Sequence, residues 1–220
     1  MNLPFLALLE ARVLGVLIEK QHTVPDAYPL TLNALVSGCN QKTSRDPVLS
    51  ASESEVQATL ERLVRLSLVV ESSGGRVMRY EHNALRVLAL PKEAVALLAM
   101  LMLRGPQTAA ELRIHSDRLH RFADTSSVEG YLSELAARAA GALVVELPRQ
   151  PGARETRWTH LLSGPPAAAS MKPVESDGSE LIALSEVGAL RNEVTSLRHE
   201  IVALKAVVAK ICEEIGVTPP

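Results

Sequence analysis

With 220 residues, 47% of them hydrophobic but only 3% aromatic, the chain can fill two small cores with Leu, Val and Ala and still carry an appendage. A formal net charge of −2 excludes a global basic field that would steer the whole protein to nucleic acid. Two distant cysteines, Cys39 and Cys212, exclude a disulfide framework or a paired-cysteine metal site, and a reducing cytoplasm is the expected setting.

Charge is distributed unevenly. Residues 1–90 hold nine Lys/Arg against nine Asp/Glu, residues 91–163 nine against eight, and residues 164–220 five against eight. The acidity therefore sits in the tail. No signal peptide is read at the start, where Glu10 and Arg12 interrupt the apolar run. The longest purely apolar run, Ala94 to Leu103, is too short for a bilayer and predicts a core helix, so no membrane contact is expected.

In chain order, Leu6, Leu9, Val13, Leu14, Leu17 and Ile18 have the three-four spacing of an amphipathic helix from Leu6 to Gln21. A loop follows at His22 to Pro29, then a second helix from Leu30 to Cys39, then the polar segment Asn40 to Ser50. Ser52-x-x-Glu55 is a capping box that opens a third helix to about Leu66. Strands at Leu68–Ser72 and Arg76–His82 are joined by Ser73-Gly74-Gly75, whose glycines permit the positive φ of a tight hairpin. Pro91 starts the next helix, which stops at Gly105-Pro106. Thr108-x-x-Glu111 opens another, and Ser126-x-x-Glu129 is read as the cap of a third. A second hairpin follows, with a longer tip at Pro148–Ala153.

The stretch from Ser52 to His82 occurs twice. Val56, Leu60 and Leu63 match Val128, Leu132 and Leu135; LVVE at 68–71 recurs at 143–146; Arg79-Tyr80-Glu81-His82 recurs as Arg157-Trp158-Thr159-His160. Leu30 to Val36 aligns with Gln107 to Arg113. Helix plus hairpin at this size is the later half of a winged helix, and two copies imply two. The expected fold is mainly α with small β-wings: tandem winged helix-turn-helix domains at 1–90 and 91–163, a flexible linker at 164–179, and a coiled-coil helix at 180–216.

The tail carries a strict heptad. Val187, Val194, Ile201, Val208 and Ile215 occupy a, and Leu190, Leu197, Leu204 and Ile211 occupy d. β-Branched a residues with mostly Leu at d favour a two-stranded parallel coil. Glu186, Glu193 and Glu200 at g face Arg191, Arg198 and Lys205 at e of a parallel partner. Each such exposed pair contributes little, of order 0–1 kcal/mol, but the sign pattern selects orientation. A parallel homodimer is expected.

Three long motifs carry a family resemblance: LEARVLGVLIEKQHTVPDAYPLTLNALVSGCNQKTSRDPV at 9–48, LRGPQTAAELR at 103–113 and LPRQPGARETRWTHLLSG at 147–164. They resemble the YceH family of bacterial tandem winged-helix proteins over residues 5–164, and the heptad tail is similar in kind. The resemblance implies the architecture and a bacterial cytoplasmic setting. It implies no activity and no site residues.

Catalytic chemistry finds no support in the residues. None of the six histidines sits with Cys, Asp or Glu at ligand spacing, and neither a phosphate-cradling glycine loop nor a nucleophile elbow is present. A non-enzyme without metal or cofactor is expected. His82 and His160 end equivalent strands, and a structural role is the better reading; Cys39 reads as a small buried residue.

Two functions compete, with a dimeric DNA-binding regulator the leading expectation by analogy of fold and a protein-interaction scaffold the alternative. As a DNA-binding regulator, the protein would use Gln41, Lys42, Thr43 and Arg45 before the third helix, Arg62 and Arg65 on it, and Arg76, Arg149 and Arg154 on the wings. Arg79 and Arg157, beside Tyr80 and Trp158, read better as structural. The third helix itself opens with Glu53 and Glu55, unfavourable against phosphates. As an interaction scaffold, the protein would instead dock a protein partner on the small-residue face Ser126, Gly130, Ser133 and Ala137, which has none of the usual base-reading side chains.

Overall fold

A computed structural model describes residues 4–73, 77–150 and 152–166. Residues 167–179 of the expected linker and every heptad position of the tail lie outside the described residues, as do Gly74, Gly75 and Arg76. The described residues are mainly helical with two small antiparallel sheets.

Helix α1 (Leu8–Thr23) is followed by a 3-10 turn at Pro25–Ala27, strand β1 (Leu30–Thr31), and helices α2 (Leu32–Cys39) and α3 (Glu53–Arg65). Strands β2 (Val69–Ser72) and β3 (Arg79–His82) complete a sheet of order β1-β3-β2. Helix α4 (Ala84–Leu88) leads to α5 (Lys92–Arg104), α6 (Ala109–His115), α7 (Thr125–Ala136) and the hairpin β4 (Val144–Glu146) and β5 (Trp158–His160).

The repeat is structural as well as sequential. Leu30 pairs with Tyr80 at the edge of the first sheet, and Gln107 pairs with Trp158 beside the second. Arg79 Nη1 donates to the Pro29 carbonyl at 2.8 Å, and Arg157 Nη1 donates to the Pro106 carbonyl at the same 2.8 Å. Each arginine thus ties its hairpin to the segment before the following helix, the structural role its aromatic neighbour suggested. Thr31 and Thr108 then cap α2 and α6, accepting from Ala34 N and Glu111 N.

Three elements depart from the sequence reading. Helix α2 starts after Leu30-Thr31, because both residues extend to join the sheet and Thr31 is the cap. The short α4 was not foreseen; its five residues carry too little pattern for a periodicity argument. Helix α7 is capped by Asp124 and not by Ser126, since the Asp124 carboxylate accepts from both the backbone N–H and the hydroxyl of Ser127 at 2.7 Å.

One continuous core runs from Leu6 to Leu162. All ten residues from Ala94 to Leu103 are buried, as the apolar run predicts. Helix α1 packs most extensively on α5, and Gly15 makes that approach possible: a Cβ there would sit 3.0 Å from Leu103 Cγ. The charged residues that interrupt the first helix are buried with partners. Arg12 donates to the carbonyls of Cys39 and Pro47, at 3.1 and 2.7 Å. Glu10 accepts from the Ala7 N–H at 2.7 Å and pairs with Arg62 Nε at 3.0 Å. Cys39 is fully buried, as read from the sequence. Gly105 ends α5 at φ +70, a conformation that strains any side chain.

Candidate functional site

Helix α3 buries Val56, Thr59, Leu60 and Leu63 and exposes Glu53, Ser54, Glu55, Ala58, Glu61, Arg62 and Arg65. Its apolar stripe fixes that orientation, so the exposed face carries three acids. Glu55 is spent on its cap, where the Ser52 hydroxyl and N–H donate to it at 2.7 and 2.8 Å and hold its pKa below the usual carboxylate range. Arg62 is turned back onto Glu10. Arg65 is the cation of this face that stays exposed with no ion pair among the described residues.

On α7 the equivalent stripe is Val128, Leu132 and Leu135. The opposite face shows Ser126, Gly130, Ser133 and Ala137, all exposed, flanked by exposed Glu129 and Glu134. Nothing lies within 4 Å of where a Cβ would stand on Gly130, so the surface is open.

The segment before α3 departs most from the sequence reading. Arg45, expected to face phosphate, is buried instead. Its five N–H groups donate to the Gly38 and Ser44 carbonyls, to Gln41 Oε1, and to both oxygens of Glu19 at 3.1 and 2.6 Å. Such a guanidinium has no donor left for a ligand. Asp46 N–H donates to the Leu103 carbonyl at 2.8 Å, and Arg104 donates to the Ser44 hydroxyl at 2.7 Å. The apparent loop from Asn40 to Ser50 therefore clasps α1 to α5. Gln41 is half-buried in that clasp, while Lys42 and Thr43 remain exposed. Arg149 and Arg154 are exposed near the second hairpin tip. Of the described nucleic-acid candidates, Arg45 and Arg62 are thus spent on Glu19 and Glu10, while Lys42, Thr43, Arg65, Arg149 and Arg154 stay exposed.

The histidines that end β3 and β5 are held neutral. His82 Nε2 lies 2.7 Å from Gln21 Oε1, while Nδ1 accepts the Ala84 N–H at 3.4 Å, which assigns the proton to Nε2. Burial pulls both His82 and His160 from 6.5 down to about 4. Above pH 6.5 neither folded nor unfolded chain is protonated at these sites. Between 6.5 and 4 the unfolded chain takes up the protons first, so stability falls with pH and levels off below 4. The drop is worth roughly 3 kcal/mol per histidine at most. Urea titrations at pH 7.5 and 4.5 should show the loss, and His82→Gln should reduce it; an unchanged pH dependence would refute the assignment.

Two kinds of cavity occur. An apolar one of about 320 Å³ is lined by Phe5, Leu6, Leu68, Leu88, Leu143 and Leu162, with Arg138 at its side donating to the Leu88 carbonyl. A smaller polar cleft of about 130 Å³ lies between the clasp segment and the end of α5. No group of three His, Cys, Asp or Glu suited to a metal gathers among the described residues. Among those residues no helix is long and apolar enough to cross a membrane.

Residues 6–153 match the family described as Protein of unknown function, DUF480. A UPF0502 protein of Burkholderia lata is 56% identical over 209 residues, 95% of this chain and 88% of that protein. A UPF0502 protein of Methylibium petroleiphilum is 56% identical over 212 residues, 96% and 91%. One from Burkholderia vietnamiensis is 57% identical over 210 residues, 95% and 89%. These matches agree with the bacterial family resemblance read from the motifs.

Proposed function

We propose, for a chain that belongs to the DUF480 family, a non-enzymatic interaction module: two tandem winged helices that dock a protein partner, paired by the heptad tail. The order helix, strand, helix, helix, hairpin, with the first short strand beside the last, supports the winged-helix reading of both copies. In that fold α3 and α7 are the helices that would enter a major groove.

The observation that carries the docking reading is the chemistry of those two faces. Exposed Glu53, Glu55 and Glu61 on α3, and Glu129 and Glu134 on α7, oppose a phosphate backbone. The small residues of α7 let another backbone come close, and the flanking acids favour a partner that brings basic side chains. Low charge in both copies points the same way.

DNA binding is the second reading, favoured by exposed Lys42, Arg65, Arg149 and Arg154. Anisotropy against genomic fragments over a salt series separates the two. The docking reading expects no salt-dependent binding. It also expects a photo-crosslinker at Ser133 to trap a discrete protein in cells, with Ser133→Arg abolishing the adduct of a crosslinker at Gly130. A steep salt slope weakened by Lys42→Ala plus Arg65→Ala would overturn it in favour of DNA. The dimer rests on the sequence of 187–215 alone, and a monomer by sedimentation at micromolar concentration would sink it.

A further inference from the structure

We propose that the polar cleft between the clasp segment and the end of α5 binds a small phosphate-bearing anion. Its walls come from both copies of the repeat: Lys20, Gln41 and Ser44 from the first, Arg104, His115 and Arg118 from the second. Glu19 also faces it, but both of its oxygens are taken by buried Arg45. Lys20 lies 3.5 Å from the same carboxylate and shares it. Arg104 spends an N–H on Ser44 and has no carboxylate partner among the described residues. Arg118 is exposed and has neither ion pair nor hydrogen bond among the described residues. Lys20, Arg104 and Arg118 thus line one cleft whose single carboxylate is already held by Arg45, an arrangement that leaves positive charge uncompensated.

The remaining polar groups suit the same ligand. His115 Nδ1 lies 2.6 Å from Gln107 Oε1. Gln107 Nε2 donates to the Met100 and Gly105 carbonyls, so its Oε1 accepts and the histidine Nδ1 donates. Burial and the neighbouring Arg104 lower the His115 pKa, so Nε2 of the neutral ring is an acceptor, able to meet the P–OH of a monohydrogen phosphate. The Ser44 hydroxyl and Gln41 amide add neutral donors. Burial draws the Arg104 pKa below its ordinary value, with Glu19 opposing and Arg45 reinforcing the shift. An anion would relieve that cost.

Size and charge limit what fits. About 130 Å³ accommodates a phosphate group but not a nucleoside. The neighbouring trough of about 250 Å³ shares Arg104 and His115 but adds Asp46, buried Arg45, and Glu111 already paired with Arg157, so its charges are largely matched within the fold. A single phosphate, free or on a monoester whose remainder stays in solvent, is the ligand class. Because its contacts come from both copies, binding would brace one against the other.

The test uses the full chain, with inorganic phosphate and adenosine monophosphate as probes and chloride at matched ionic strength as control. Phosphate at about 10 mM should raise Tm by about 2–4 °C over chloride. Calorimetric titration should show Arg118→Gln and Lys20→Gln each weakening binding about tenfold. Arg118 is exposed, so its variant should melt near the wild type without ligand, while Lys20→Gln is compared with its own ligand-free melt because Lys20 also pairs with Glu19. Tighter binding of the monophosphate would identify a phosphoester as the ligand, and equal binding would identify the free ion. No phosphate-specific shift, or a full response in Arg118→Gln, would overturn the proposal.

Discussion

Replacing Glu19 by alanine is expected to destabilise the protein by about 3–5 kcal/mol, the cost of leaving a buried charge without its partner. The Arg45 side chain is fully enclosed and Glu19 nearly so, with 2.6 Å between Nη2 and Oε2. Three further bonds hold the guanidinium in place, so it cannot swing to water when the carboxylate is removed. Glu19→Gln keeps an acceptor and should cost less. Glu19→Leu with Arg45→Met removes both charges and should recover much of the loss. Denaturant unfolding of the four proteins checks the series. A Glu19→Ala variant within 1 kcal/mol of wild type, in the range of an exposed pair, would show that the pair is solvated.

The same pair has a signature in acid. Burial raises the Glu19 carboxyl, but hydrogen bonds and charge from Arg45 outweigh it and hold the pKa below 4.5. Its contribution is present above the unfolded value and fades as pH falls through the folded one. That window lies on the acid side of the histidine window, so the two losses follow one another as pH drops.

Leu103→Ala is expected to cost about 2–5 kcal/mol and to weaken both copies of the repeat together. Leu103 is fully buried at the α1–α5 contact, filling the space that Gly15 leaves. With one continuous core, a void on α5 also removes packing from α1, and α1 packs on α2 and α3. Amide exchange should accelerate in α3 and α7 to a similar extent, with one unfolding transition. Loss of protection in α7 with α3 unchanged would show that the two copies unfold separately. Ile114→Ala, at a side chain 67% exposed, is the control and should stay within about 0.5 kcal/mol.

Much of the fold is legible along the chain because its signals are local. The stripe of Val56, Leu60 and Leu63, the Ser52 and Thr108 caps, and the apolar run of α5 each fall within a few residues. Repetition doubled that information, and Leu30 and Gln107, aligned in the sequence, pair with the equivalent residues Tyr80 and Trp158 in the fold. Strand β1 escaped because two residues have no period; the only local signal was Thr31, a cap residue one step inside the expected helix. The α7 start was misplaced because Asp124 and Ser126 are both good caps, and the choice depends on where the chain turns.

The candidate site was less legible, for a physical reason that Arg45 and Arg62 make plain. As residues in a sequence they are cations in a polar segment and on a helix face, equally suited to phosphate or carboxylate. Which anion each one meets depends on Glu19 and Glu10, 26 and 52 positions away in the chain. By itself the sequence determined the elements, their duplication and the inward stripe of each third helix, since caps and periodicity are short-range properties. Only the tertiary structure decided that the segment at 40–50 clasps α1 to α5, and that Lys20, Arg104 and Arg118 share one cleft. Charges act through space, and the chain's path through space is what packing α1 against α5 sets.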